Sequence, residues 1–265
     1  VTQKIVIKLG GNILKNLHPD FFAQCAQLKE QGFSIIIVHG GGSMISDWAQ
    51  KIGKDAQFMN GYRVTDQEML TIAEMVLAGT VNKQIVSKLA SIGLTAIGLS
   101  GIDLKLIEAK QQNTQLGYVG EVTKVNISAL HTILEQGWVP VVASLGVGTN
   151  ESHYNINADE VASAIAQALN ASHLIMVSDV DGIYIKTSSE RKMLHKATPS
   201  LVEYYIQTGE ISGGMIPKAR SSIKALQHAV QEVWIVNGTK PLPFDEELFV
   251  GTRLHQEVSD RVTLS

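Results

Sequence analysis

Apolar runs of strand length alternate along the chain with stretches of helical period. The pattern predicts a strand over 4–9 (Ile5-Val6-Ile7-Lys8-Leu9 at its heart), a helix from about 19, a strand over 34–38 and a helix from about 43. One long helix over 66–91 and a strand over 94–99 follow, and 104–125 read as short strands and turns. A helix over 127–136, a strand over 138–143, a helix over 158–169 and a strand over 173–178 restore the rhythm. Helices over 198–208 and 215–230 and a strand from Val233 to Val236 complete it. Continuously apolar strands separated by amphipathic helices point to an α/β fold, a largely parallel sheet with both faces covered, because each parallel crossover lays a helix on the sheet.

Composition narrows the partners. With 265 residues, 45% hydrophobic and 18% charged, and a formal charge of −3, the chain has the balance of a globular domain. It lacks the basic excess that nucleic acid or an anionic membrane surface calls for. Its apolar stretches reach strand length rather than bilayer length, and no charged-then-apolar leader opens it, so a cytoplasmic protein is expected. The single cysteine, Cys25, among Phe21, Phe22 and Leu28, reads as core packing. No repeat, low-complexity tract or flexible linker interrupts the sequence.

The chemistry gathers at the ends of strands, where open α/β sheets bind ligands. The first strand breaks into Gly10-Gly11 just after Lys8, and the second into His39-Gly40-Gly41-Gly42. A lone glycine pair is usually a tight connection. Two such breaks, one beside a lysine, instead suit two walls of an anion site, since bare backbone brings N–H groups close to oxygen and a following helix adds its positive end. His39 reads as a hydrogen-bonded structural group. The esterase use of His-Gly-Gly-Gly requires a Gly-x-Ser-x-Gly turn, which is missing. No P-loop Gly-Lys-Ser or Gly-Lys-Thr occurs, and no Gly-x-Gly-x-x-Gly follows a strand.

Other groups carry two readings each. In Asn60-Gly61-Tyr62-Arg63-Val64-Thr65, Asn-Gly predicts a hairpin turn and Asp66 a helix cap, with Arg63 projecting from an exposed ribbon, either as a solvated arginine or as a fork for a carboxylate. Asn157 and Asp159 suit a helix cap and its first-turn acid; Asn155 and Asp159 equally suit a substrate amide contact and a carboxylate between cations. Ser178-Asp179-Val180-Asp181-Gly182-Ile183-Tyr184 ends a strand with a turn, structural or nucleotide-binding. Lys218 in Gly213-Gly214-Met215-Ile216-Pro217-Lys218 sits in a helix's first turn. That placement costs roughly 0.3 to 1 kcal/mol when exposed unless a phosphate lies over the terminus.

Taken in order, Lys-Leu-Gly-Gly at 8–11, His-Gly-Gly-Gly at 39–42, Gly-Tyr-Arg-Val-Thr at 61–65, Asn-Ile-Asn-Ala-Asp at 155–159, Ser-Asp-Val-Asp-Gly at 178–182 and Gly-Gly-Met-Ile-Pro-Lys at 213–218 resemble the amino acid kinase family across essentially the whole chain. Within it they resemble the members that phosphorylate N-acetyl-L-glutamate. The resemblance implies a three-layer αβα sandwich, one domain whose residues 1–152 hold the acyl amino acid and whose residues 153–265 hold ATP. It implies transfer of a phosphoryl group to the side-chain carboxylate, the second step of arginine biosynthesis. Lys8 and Lys218 would neutralise the moving group and Asp159 would hold both lysines. Gly11, Gly41 and Gly42 would bind phosphoryl and carboxylate oxygens, and Arg63 and Asn155 the amino acid end. Asp179, Val180, Asp181, Gly182, Ile183 and Tyr184, with Glu210, Ile211 and Ser212, would border the nucleotide. Mg2+ would be held by phosphate and water rather than by named side chains.

A carboxylate with a pKa near about 4.3 is already ionised at neutral pH, so the expected chemistry calls for cations and positioning rather than a general base. Asn12, Tyr62 and Gly101-Ile102-Asp103 depart from the usual family residues. A start directly at the first strand, together with the resemblance, leads to the expectation of a homodimer, held by the helix from 66, without arginine feedback. The alternatives are a relative acting on carrier-bound aminoadipate, aspartate or glutamate, and a nucleotide-binding sensor without turnover. Intact Lys8, Asp159 and Lys218 weigh against the sensor.

Overall fold

The computed structural model describes residues 2–11, 13–186, 190–213, 215–226, 230–241 and 250–256. Asn12, Gly214 and the predicted helical turn 227–229 lie outside the described residues. Eight strands form the central sheet, in the spatial order Lys196–Ala197, Thr252–His255, Glu232–Asn237, His173–Ser178, Lys4–Leu9, Ser34–His39, Val139–Ala143 and Ala96–Ser100. Every pairing is parallel except that between Glu232–Asn237 and Thr252–His255. The strand predicted over 4–9 runs through the middle of the sheet, with Lys8 in register with Met176 on one side and Val38 on the other.

Strand alternation sorts these residues into two cores. Ile5, Ile7 and Leu9 face the helices Phe21–Glu30, Gly42–Lys51 and Gln67–Glu74, sharing a cluster with Phe21, Ile45 and Met69. Val6 faces the other way and packs in the cluster of Val161, Ala162 and Ile165 from the helix Ala158–Ala168 and of Ile223 from the helix Met215–Leu226. Helices on both faces of one sheet make the three-layer αβα sandwich. The alternation also fixes chemistry: Lys8 shares the Val6 face, toward Ala158–Ala168. Cys25 is buried in the first cluster and burial pushes its thiol up to about 12, so it is inert packing.

The helix predicted over 66–91 is continuous but changes pitch. Gln67–Glu74 and Asn82–Ser91 are α-helical, and Met75–Val81 between them is a π-helix. Wide turns of this kind often occur at functional sites, and here Val76, Leu77 and Val81 lie against Gly41. Other elements carry too little periodicity to be read from sequence. They are the hairpin Ile183–Lys186 with Arg191–Leu194, the two-residue strand Lys196–Ala197, and the edge-side strand Thr252–His255. A second sheet orders His153–Asn155, Leu145–Val147, Ile107–Gln111 and Gly120–Val125, and brings Asn155 to the rim of the main one.

Candidate active site

The two glycine turns meet over the carboxyl ends of the first two strands. Gly10 N–H donates to Val177 O and Gly40 N–H to Leu9 O, so each turn is pinned to a neighbouring strand. A Cβ at Gly11 would lie 2.2 Å from Gly42 N, and one at Gly41 2.7 Å from Leu77 Cδ2. Close approach, not unusual dihedral angles, excludes side chains there. Gly41 caps the helix Gly42–Lys51, whose first-turn N–H groups have no intrahelical acceptors and give that end a positive potential.

Lys8 reaches over this turn. Its Nζ lies 2.7 Å from Asp159 Oδ1, on the first turn of Ala158–Ala168, and 3.4 Å from where a Gly10 side chain would begin. Asn157 caps that helix by accepting from Asp159 N–H at 2.8 Å, while Asp159 holds Lys8, so capping and charge-holding fall to residues two positions apart. Lys218, on the helix Met215–Leu226, is bound by Asp179 Oδ1 at 3.1 Å and not by Asp159. Where the resemblance implies that Asp159 holds both lysines, here it pairs with Lys8, and Lys218 has its own carboxylate in Asp179. Asp179 has its carboxyl lowered chiefly by the hydrogen bond from Lys218, with a smaller contribution from Lys8, so both cations act on one region.

Arg63 is not on an exposed ribbon. Asn60 and Gly61 both have positive φ, 52° and 84°, and form the two-residue turn of the hairpin Phe58–Met59 with Tyr62–Arg63. The turn folds the guanidinium inward, leaving the residue 6% exposed. Its Nη2 donates to Gly42 O at 2.6 Å and to Ser46 Oγ at 2.9 Å, and the ring of Phe58 lies 4.8 Å away. Its Nη1 is buried without a protein acceptor. A desolvated guanidinium with an unsatisfied N–H in a cleft is a ready carboxylate receptor. Asn155 is positioned by its Nδ2 donating to Thr65 Oγ1 at 3.3 Å.

A cleft of about 430 Å³ is lined by Lys8, Gly11, Gly41, Gly42, Arg63, Asn155, Asp179 and Lys218, with apolar walls from Ile45, Phe58, Leu77, Val119 and Ile156. Of the predicted nucleotide residues only Gly11 and Asp179 line it; Val180 to Tyr184 and Glu210 to Ser212 are not among the lining residues. Asp181 accepts from Asn237 Nδ2 at 2.9 Å and from Tyr184 OH at 2.9 Å and pairs with Lys240 at 2.6 Å; these partners, Lys240 first, hold its carboxyl down at about 2. Gly182 has no room for a side chain beside Thr252, and Ile183 and Ile211 are buried core residues. Lys186 N–H donates to Glu210 O, which brings 210–212 beside the strand Ile183–Lys186; Ser212 is exposed and Val180 half-buried.

His39 is structural, as the sequence indicated. Its Nδ1 lies 3.1 Å from Gly40 O and its Nε2 3.1 Å from Asn82 Nδ2, and burial lowers its pKa to about 4. Sequence reasoning did not find Ser46, Phe58, Asn237 or Lys240. None belongs to a recognisable pattern; Ser46 comes from the helix Gly42–Lys51, Phe58 from the hairpin, and Asn237 and Lys240 from the end of Glu232–Asn237 and the turn after it.

The sequence profile of the amino acid kinase family matches residues 3–237. An acetylglutamate kinase of Geobacillus kaustophilus is 43% identical over 257 residues, covering 97% of this chain and 98% of its own. One from Oceanobacillus iheyensis is 43% identical over 263 residues, at 97% and 99%. Among solved structures, smu.665 from Streptococcus mutans matches with a TM-score of 0.84 at 32% identity, over 96% of this chain and 99% of that one. Ordered motifs, an αβα sandwich and full-length similarity agree: the chain belongs to the amino acid kinase family.

Proposed function

We propose that the chain transfers the terminal phosphoryl group of ATP to the side-chain carboxylate of N-acetyl-L-glutamate, giving an acyl phosphate, the second step of arginine biosynthesis. The observation that carries this reading is the buried Arg63 with its unpartnered Nη1, in one cleft with Lys8, Lys218 and two glycine turns. The full-length likeness to acetylglutamate kinases selects the substrate.

The acyl amino acid would lie on the side of Arg63 and Asn155, its acyl group against Ile45, Leu77, Val119 and Ile156. Its reacting carboxylate would meet backbone N–H groups of Gly41 and Gly42, and the phosphoryl group those of Gly11. Residues 1–152 would mainly serve the amino acid and 153–265 the nucleotide, bordered by 179–184 and 210–212, with Asn155 and Ile156 reaching the amino acid from the second part and Gly11 the phosphoryl group from the first. Both reactants are anions, so the barrier is dominated by bringing negative charges together. Lys8 and Lys218 would neutralise the transferring group while Asp159 and Asp179 hold the ammonium groups at its two sides. Asp179 is the one carboxylate among the lining residues, and no group of three or more His, Cys, Asp or Glu converges among the described residues. That donor set fits Mg2+ held mainly by phosphates and water. The ion would spread charge on the phosphate oxygens.

No helix among the described residues is long and apolar enough to cross a membrane, and we place the enzyme in the cytoplasm. A homodimer is part of the proposal. Trp48, Ile52 and Met75 are exposed around a hollow of about 240 Å³ that Ile72, Val76 and Thr80 complete, an apolar face suited to a second copy of the chain.

The test is ADP release by the purified protein with Mg-ATP and N-acetyl-L-glutamate, glutamate, aspartate or N-acetyl-aminoadipate, with hydroxylamine trapping of the acyl phosphate. A trapped product selective for acetylglutamate is expected. Preference for another carboxylate overturns the substrate, and ATP binding without turnover on any of them overturns the reaction.

A further inference from the structure

Tyr62 lines the cleft, yet its phenol turns away to a partner 98 positions along the chain, donating to Glu160 Oε1 at 2.6 Å. Its neighbour Arg63 is the guanidinium of the cleft. Glu160 follows Asp159, the carboxylate that holds Lys8. One hydrogen bond therefore joins the element that presents the arginine to the helix that positions the lysine.

The hairpin needs such a tie. Its two strands are two residues each, Phe58–Met59 and Tyr62–Arg63, and a two-stranded ribbon is at best marginally stable on its own. Val64 N–H to Gln57 O ties the ribbon only to itself; its other anchors are Arg63 to Gly42 and Ser46 and, at its root, Thr65 N–H to Leu116 O. Tyr62 fixes its inner edge against Ala158–Ala168. The phenol and the carboxyl are both half-buried, and Gln112 also hydrogen-bonds the phenol. Burial raises both groups above their ordinary values, so the bond is partly shielded from water. In that setting a hydrogen bond to a charged acceptor contributes more than a neutral one.

We propose that Tyr62 and Glu160 form a latch that holds the Arg63 hairpin over the cleft, making Tyr62 a positioning residue for the acyl amino acid; this rests on the functional reading above. The phosphoryl-transfer groups are untouched by the latch, so its loss weakens capture of the acyl amino acid without slowing the chemistry.

Steady-state kinetics of Tyr62→Phe, Glu160→Ala, Glu160→Gln and the double variant Tyr62→Phe/Glu160→Ala test this. Tyr62→Phe is expected to raise KM for N-acetyl-L-glutamate about fivefold to tenfold, leaving kcat within about twofold and KM for ATP unchanged. Glu160→Ala should approach it, short of what the Gln112 bond to the phenol contributes, the double variant should be no worse than Tyr62→Phe, and Glu160→Gln, whose amide oxygen still accepts the phenol proton, should restore most of the affinity. An unchanged KM in Tyr62→Phe, additive effects in the double variant, or equal damage to kcat and to KM for ATP overturns the latch. If the wild-type protein prefers another carboxylate, the functional reading fails separately, and amide hydrogen exchange over 57–65 decides on the latch. Faster exchange in Tyr62→Phe than in wild type supports it, and identical exchange overturns it.

Discussion

At the scale of single residues, the site is built from charges held in tension. Lys8 lies at the end of a buried strand, its side chain 14% exposed, and is oriented by Asp159. Lys8→Ala is expected to lower kcat by about 10²- to 10³-fold, the range for removing one preorganised charge-stabilising donor, with the fold retained by circular dichroism; unchanged turnover would remove Lys8 from the mechanism. His39 makes the opposite kind of contribution. The unfolded chain takes up a proton on this imidazole near pH 6.5, the folded protein only near about 4. Between those values the unfolded state binds more protons, so stability falls as pH falls. The shift corresponds to about 3 kcal/mol at most. Urea unfolding at pH 7 and 4.5 should show a shallower pH dependence for His39→Gln than for wild type; parallel curves would show that the buried neutral ring is not the source. Lys8 was legible because it closes an apolar strand that breaks at once into Gly10-Gly11. Arg63 was misplaced because nothing local reveals that its hairpin folds over Gly42 and Ser46.

At the scale of elements, the glycine turns act as one unit. Gly11 and Gly42 come from different strand ends, and a methyl at Gly11 would overlap Gly41 and Gly42 backbone. Gly11→Ala is therefore expected to push the turns apart and cost at least tenfold in kcat/KM, read from initial rates with both substrates varied. Near-wild-type rates would mean that the turns tolerate separation and do not cradle the reacting groups. The π-helical stretch Met75–Val81 belongs to the same assembly, because Leu77 and Val81 close on Gly41 from the other core. A continuous helix over 66–91 was readable from its apolar period, whereas its change of pitch was not: the period of a few residues cannot distinguish turns that widen only when packed against a loop.

At the scale of the whole molecule, the exposed face of Trp48, Ile52 and Met75 predicts self-association. Sedimentation equilibrium should give a dimer for wild type and a monomer for Ile52→Asp/Met75→Asp, since two buried carboxylates would face each other across a symmetric interface; a wild-type monomer, or a variant still dimeric, would place the interface elsewhere. The amino-acid sequence alone determined the largely parallel sheet covered on both faces, the place of Lys8 and the two glycine turns at strand ends, and that of Asp159 and Lys218 in the first turns of helices. Apolar periodicity and strand-end chemistry are local properties, written in neighbouring residues. Only the tertiary structure decided the separate pairings of Lys8 with Asp159 and Lys218 with Asp179, the burial of Arg63 with its Nη1 unpartnered, and the latch from Tyr62 to Glu160. These depend on distances between elements far apart in sequence, which are set when the two cores pack on either side of the sheet.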